Sequence, residues 1–263
     1  MAREMINIIP FWCLIILTML ILTLVGYCSA RISSYFFSRR VGDDQRKLAN
    51  TLIGILSGGF SILLAFVIIN SWNYQLSARL LTSQEADYLS ILLHNITVFP
   101  KDEQETLRSA IRDYVVAVRT DEWQAMKGGQ DSPKAWDAID KLYTVVQAYN
   151  PQESQEKIYY VRLIANLNEL LQSRRERLNG VTSIIPGHLR MALILGSILL
   201  IVVLGAMRGE ATIFYIMPLM FFSVVLGFNL ALALSFDYPY SGDISVSNKP
   251  FYRGVLGELS DTP

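Results

Sequence analysis

Side chains that usually carry chemistry are scarce in this sequence. It holds two cysteines and two histidines among 263 residues. Both cysteines, Cys13 and Cys28, fall in one apolar stretch near the N-terminus. The polar part of the chain therefore has no disulfide framework and no thiolate metal site. His94 and His188 stand far apart, with no ligand spacing around either. A glycine-rich phosphate loop and a nucleophile elbow are both absent. These absences point away from an enzyme and from a bound metal or cofactor. A formal net charge of zero argues against nucleic acid as a partner.

Asp, Glu, Lys and Arg are also missing from four windows, 5–30, 48–78, 191–207 and 211–236, and the 52% hydrophobic content is concentrated there. A bilayer core about 30 Å thick is crossed by roughly 20 apolar residues in helical form. A helix satisfies its own backbone hydrogen bonds in lipid and so can cross alone. Three windows are long enough outright. The third is shorter, with Arg190 and Arg208 at its ends placed to snorkel toward the headgroups. Cys28-Ser29-Ala30 loosely resembles a signal-peptide cleavage site, but the apolar run exceeds the roughly 7–15 residues of such a core. The first window therefore reads as a retained span. The spans are predicted at about residues 8–29, 50–72, 189–207 and 212–236. No ionisable group lies deep within them, which argues against proton-coupled transport. A passive channel remains open, because selectivity there can come from backbone dipoles and rim charges. Asn70 and Asn229 are the strongest polar groups in the spans and are expected to hydrogen-bond neighbouring helices.

Residues 1–72 and 188–236 thus form two membrane pairs, 73–187 a soluble helical bundle, and 237–263 a tail. Leu76, Leu80, Ala86, Leu89 and Leu93 carry a helical stripe beyond the second span, so that helix should run on as one rod to near Pro100. Asp102 and Glu105 have capping-box spacing, ahead of a face of Leu107, Ile111, Tyr114 and Val118. Gly128-Gly129 breaks that helix, and Ser132-Pro133 opens the next as N-cap and first-turn proline. Trp136, Ile139, Tyr143 and Val146 form its predicted buried face. A last helix after Pro151 is predicted to bury Ile164, Leu167, Leu171 and Leu178. The expected fold is an all-α integral membrane protein, four transmembrane helices in two pairs with an inserted soluble helical bundle.

The second span is the most informative helix. Gly54 and Gly58 form a GxxxG pair, and Ser57, Ser61 and Ala65 make a second small-residue row beside it. Small residues let helices approach closely in lipid. Two readings stand: packing within one chain, or a helix that lines a path and touches other subunits. Tyr238 and Tyr240 follow the fourth span, where aromatics act as depth anchors. With four spans, both termini and the bundle share one side of the membrane. The short connections, 31–50 and 208–210, lie on the other. They hold Arg31, Arg39, Arg40, Arg46, Lys47 and Arg208, against Arg3, Lys249 and Arg253 in the tails. The positive-inside rule then favours an extracytoplasmic bundle. Arg174, Arg175, Arg177 and Arg190, near the third span, pull the other way.

Several stretches resemble a family of bacterial four-helix membrane proteins with bestrophin-like domains. Residues 54–66 and on to Glu85-Ala86 look like that family's Gly-rich apolar helix followed by an Arg and a Glu-Ala pair. Arg174-Arg175-Glu176-Arg177-Leu178 before Ile185-Pro186 resembles its basic run ahead of the third span. The tail Asp237-Tyr238-Pro239-Tyr240-Ser241-Gly242, with Ile244, Val246, Pro250 and Phe251, is the closest match. This resemblance implies a multi-pass protein of the bacterial inner membrane, with the lipid bilayer as partner and self-association into a homo-oligomer. A more distant similarity links the family to the bestrophin anion channels, pentamers whose neck is lined by apolar side chains of the second transmembrane helix. The resemblance puts Ile62 and Phe66 at neck positions one helical turn apart. A third neck position, bulky in bestrophins, falls at Gly58, which implies a shorter or wider constriction. It also implies small anions as permeants and a cytoplasmic bundle, opposite to the charge count. The competing reading is a non-conducting, membrane-anchored sensor or scaffold whose bundle binds a partner.

Overall fold

The computed structural model describes residues 2–36, 43–207 and 213–259. Arg39, Arg40 and Arg208 of the short connections, the Arg46 side chain and residues 260–263 of the tail lie outside the described residues. Helices follow one another as α1 (Ala2–Ile8), α2 (Phe11–Phe36), α3 (Asp43–Asn95), α4 (Lys101–Ala117), α5 (Trp123–Gly128), α6 (Pro133–Ala148), α7 (Ser154–Asn179), α8 (Gly187–Ala206) and α9 (Ile213–Ser235). No strand occurs among the described residues. Helix α2, the first part of α3, α8 and α9 are long and apolar enough to cross a membrane.

Two apolar cores result. The membrane core gathers Leu22, Leu64, Val67, Leu193, Ile201, Leu226 and Leu230. Within it α2, α8 and α9 approach closely, and glycines permit this. A Cβ on Gly205 would lie 2.7 Å from the Gly26 carbonyl, and one on Gly227 2.8 Å from the Met19 backbone. Hydroxyls tie the same helices: Thr18 donates to the Gly227 carbonyl at 3.0 Å and Ser29 to that of Val202 at 2.7 Å. The small-residue contacts inside the chain thus fall on α2, α8 and α9, and α3 leans on this trio through one face. Gly205→Ala should cost about 1–3 kcal/mol by overpacking and lower the melting temperature in detergent. Gly58→Ala, where a Cβ meets nothing within 4 Å, should leave the melt unchanged.

The bundle core is built on α3 as a 53-residue rod, continued by a 3-10 turn at Ile96–Val98 and ended by the extended Phe99 before Pro100. Leu107, Ile111, Tyr114 and Val118 are buried as predicted. Helix α6 starts on Ser132, whose Oγ accepts from the Ala135 amide, with proline in the first turn. Four local expectations need correction. On α6 the buried face is Ala135, Ile139, Leu142 and Val146, leaving Trp136 and Tyr143 half-buried. Helix α4 starts at Lys101 after Pro100, and no side chain caps it, so Asp102 is already inside and cannot form the capping box. The helix does end at Gly128-Gly129, but it is not continuous up to there: Val118–Glu122 is a π-turn, an extra-residue bulge of the kind found at functional sites. On α7 the buried face is Leu163, Leu167, Leu170, Arg174 and Arg177, one position round from the predicted stripe, leaving Ile164, Leu171 and Leu178 half-buried. The face rotated because it carries two arginines that an apolar stripe does not count.

Candidate functional site

Helix α3 presents the predicted site residues outward. Leu64 and Val67 face the membrane core, while Ser61, Ile62, Ala65 and Phe66 are exposed, Ile62 at 60% and Phe66 at 68%. At Gly54, Gly58 and Gly59 an added Cβ would meet nothing within 4 Å. Packing within one chain therefore does not explain the GxxxG pair. Half-buried Ser57 donates to the Gly54 carbonyl of its own helix. Ser61 and Ala65, with Phe222, Val225 and Asn229 of α9, line an open groove of about 300 Å³. Asn229 does not reach a neighbouring helix, because its amide turns back on the Val225 carbonyl one turn earlier. Asn70 is likewise exposed.

One row, apolar but for Asn73, runs the length of this face. Leu48, Leu52, Ile55, Gly59, Ile62, Phe66, Ile69, Asn73, Leu76 and Leu80 follow one another at alternating steps of four and three, and all are exposed. That is the heptad spacing of a helix that packs against other helices. The row does not stop at the predicted end of the span near Trp72. Leu80 lies eight residues on, about 12 Å along the axis, and is 58% exposed.

Behind this face sits a network absent from the sequence expectations. Arg177 of α7 donates from Nε to Glu85 Oε2 (2.6 Å) and from Nη2 to Glu85 Oε1 (2.9 Å) and Glu122 Oε2 (2.6 Å). Arg174, one turn earlier, pairs with Glu122 (2.5 Å) and stacks 4.0 Å from the Trp136 ring centre. Tyr114 donates to Glu85 at 2.7 Å. Arg174, Arg177, Glu85, Glu122 and Tyr114 are fully buried, and the two cations balance the two anions. The π-turn brings Glu122 into the core, and it also brings Arg119. That guanidinium donates to the carbonyls of Phe251, Leu256 and Leu259 in the tail. Burial alone would raise the Glu122 carboxyl, but the charges and hydrogen bonds of Arg177 and Arg174 outweigh it and hold its pKa below the ordinary value. Burial, joined by Glu85 and Glu122, pushes the Tyr114 phenol far up.

The tail itself is interior rather than interfacial. Tyr238 and Tyr240 are buried, which corrects their reading as depth anchors: a ring enclosed by protein offers nothing to the headgroups. Tyr240 meets Trp123 edge-on at 5.9 Å. Tyr238 accepts from Arg190 at 2.7 Å and lies under Arg3, 4.8 Å from its guanidinium. Buried Asp237 accepts from the Ser183 hydroxyl and the Ile185 amide, and pairs with Arg190 at 3.1 Å. The tail thus ties the start of α8 to the end of α9. Among the described residues no group of His, Cys, Asp or Glu could hold a metal ion.

A rod through the membrane into a helical bundle, a buried Glu-Arg network and an inward-folded tail can be compared with known proteins. The bestrophin-like domain model matches residues 21–251. The chain belongs to the bestrophin-like family. Two crystal structures of single-residue variants of a bacterial bestrophin homologue from Klebsiella pneumoniae share the fold, each at a TM-score of 0.61. The first is 14% identical and is matched over 92% of this chain and 94% of its own. The second is 15% identical, over 93% and 97%. No curated protein matches. The stretches that carried the resemblance, 54–66, Glu85-Ala86, 174–178 and 237–251, sit in the rod, the buried network and the tail of this bestrophin-like fold.

Proposed function

We propose that this bestrophin-like protein is a homo-oligomeric membrane channel that conducts small anions, with α3 of each copy facing the path. The carrying observation is the exposed row on α3. Lipid can cover Ile55, Ile62 and Phe66, but Leu76 and Leu80 continue the row past the predicted bilayer edge, where water would face them uncovered. A second copy of the chain covers both parts at once. Ile62 and Phe66 then form the neck, two apolar rings one turn apart that gate by dewetting, and Gly58 leaves the next ring open. The permeant class rests on the family resemblance. A symmetric ring in particle images, with halide efflux from loaded liposomes, is the expected result. A monomer without flux would favour the scaffold reading instead.

We propose further that the protein sits in a bacterial plasma membrane with the bundle on the cytoplasmic side, against the short-loop count. Besides the family resemblance, Arg79, Arg175 and Arg190 stand near the bundle-side ends of the spans, and Arg79 stacks on Trp72. In a variant with Cys13 and Cys28 replaced by serine, Glu169→Cys should react with a membrane-impermeant maleimide in inverted vesicles and not in spheroplasts. The reverse pattern restores the extracytoplasmic reading.

A further inference from the structure

An open pocket of about 370 Å³ lies outside the α3 face, lined by Gln130, Asp131, Trp136, Arg175, Leu178 and Thr182 among others. It sits where the turn from α5 to α6 meets the end of α7. Its level in the molecule is set by neighbours on both sides. Thr182 precedes α8 by five residues, and the intervening loop is tied to the end of α9 through Ser183, Ile185 and Asp237. Arg3 arrives from the N-terminal side, one short helix before the first span. Its guanidinium donates to the Val181 carbonyl at 2.7 Å and packs against Gly129, which has φ 86°. The pocket is therefore at the membrane-facing end of the bundle, next to the entry of the first and third spans.

The charges in it are of both signs. Asp131 is exposed and accepts from the Trp136 indole N–H at 2.7 Å. That bond, with its own backbone amide, lowers the Asp131 pKa and keeps the carboxylate ionised. An ionised carboxylate accepts several donors at once, so this bond does not exhaust it. Arg175 is exposed and makes no hydrogen bond or ion pair among the described residues. Under Trp136 lies buried Arg174, whose Nη1 has no hydrogen-bond partner among the described residues. Leu178 supplies an apolar wall.

We infer that this pocket binds a primary-amine phosphate headgroup, that of a phosphatidylethanolamine lipid, with Asp131 taking the ammonium and Arg175 the phosphate. An anionic headgroup would satisfy Arg175 and set a negative charge against Asp131. A choline headgroup would bring a cation with no N–H to donate. The ethanolamine headgroup matches both ends, and its acyl chains lead into the adjacent bilayer. Charge-assisted hydrogen bonds are the strong ones.

Native mass spectrometry of the full chain in detergent, titrated separately with phosphatidylethanolamine, phosphatidylglycerol and phosphatidylcholine, tests this without reference to conduction. Phosphatidylethanolamine should bind about tenfold more tightly than the other two, the scale of one good polar contact. Asp131→Asn should erase that preference at unchanged melting temperature. Arg175→Gln, on an exposed position, should weaken all three lipids alike, which keeps the inference testable if the first variant misfolds. Equal binding of the three lipids, or a preference untouched by both variants, would overturn it. Soluble phosphoethanolamine binding as tightly as the lipid would assign the pocket to a soluble amine phosphate and overturn the lipid assignment.

Discussion

Replacing Arg177 with methionine should cost the folded protein about 3–5 kcal/mol, the penalty for leaving buried charges without their partner. Small domains are stable by only about 5–15 kcal/mol, so the expected outcome is a collapse of yield or a large drop in melting temperature. The side chain has no exposed surface and holds two carboxylates from different parts of the chain. With it gone, Glu85 loses its one arginine partner among the described residues, and Glu122 keeps Arg174. Arg177→Lys should rescue little, because an ammonium cannot reach both carboxylates in the planar fork geometry that a guanidinium offers. Glu85→Gln combined with Arg177→Met removes one charge of each sign and should recover part of the loss. A melt of Arg177→Met equal to wild type would show that the network is not holding the bundle. The same network gives a pH dependence. The Glu122 pKa is lowered by folding, so its contribution is fully present above the ordinary value of 4.5 and fades as pH falls through the lowered folded value. Acid melts should therefore steepen below about pH 4.5, and less so in Glu122→Gln.

Phe66→Ala should raise halide efflux from liposomes several-fold, and Ile62→Ala should do so to a lesser degree, with thermal stability of the single chain unchanged. Both side chains are mostly exposed and belong to neither apolar core, so their removal acts chiefly on the path. A dewetted constriction opens as its apolar ring widens. Gly58→Leu is the converse experiment. The position has open space for a side chain, and a third apolar ring should cut efflux sharply without unfolding the protein. If conducting protein is indifferent to all three changes, Gly58, Ile62 and Phe66 do not form the neck.

Much of the architecture is legible in the sequence because the bilayer imposes it. Four charge-free windows give four spanning helices, and Ser132-Pro133 starts α6, since those signals are local and need no distant partner. The Gly54–Gly58 pair was visible but ambiguous. Small residues mark any close helix contact, and inside one chain that role falls to Gly26, Gly205 and Gly227, which carry the same signal. The buried network was harder to see. Arg174, Arg175 and Arg177 look like a solvated basic run, and burial of two of them depends on Glu85 and Glu122, 92 and 55 positions from Arg177. Glu122 in turn depends on a π-turn that no turn residue announces. The tail tyrosines are hard to place from sequence for a similar reason. A span end next to aromatics fits an interface belt, and only the long-range contacts of Tyr238 and Tyr240 put them inside.

In the proposed channel the uncovered face of α3 lines an ion path between copies of the chain. The most direct test of that path uses protein lacking Cys13 and Cys28, with Phe66→Cys or, as control, Leu195→Cys on the exposed face of α8. Each variant is reconstituted in halide-loaded liposomes and treated with a charged, water-soluble thiol reagent. Robust halide efflux is expected from both variants, blocked by the reagent in Phe66→Cys and unaffected in Leu195→Cys. Absence of efflux, or efflux that the reagent leaves equal in the two, would contradict a path along α3.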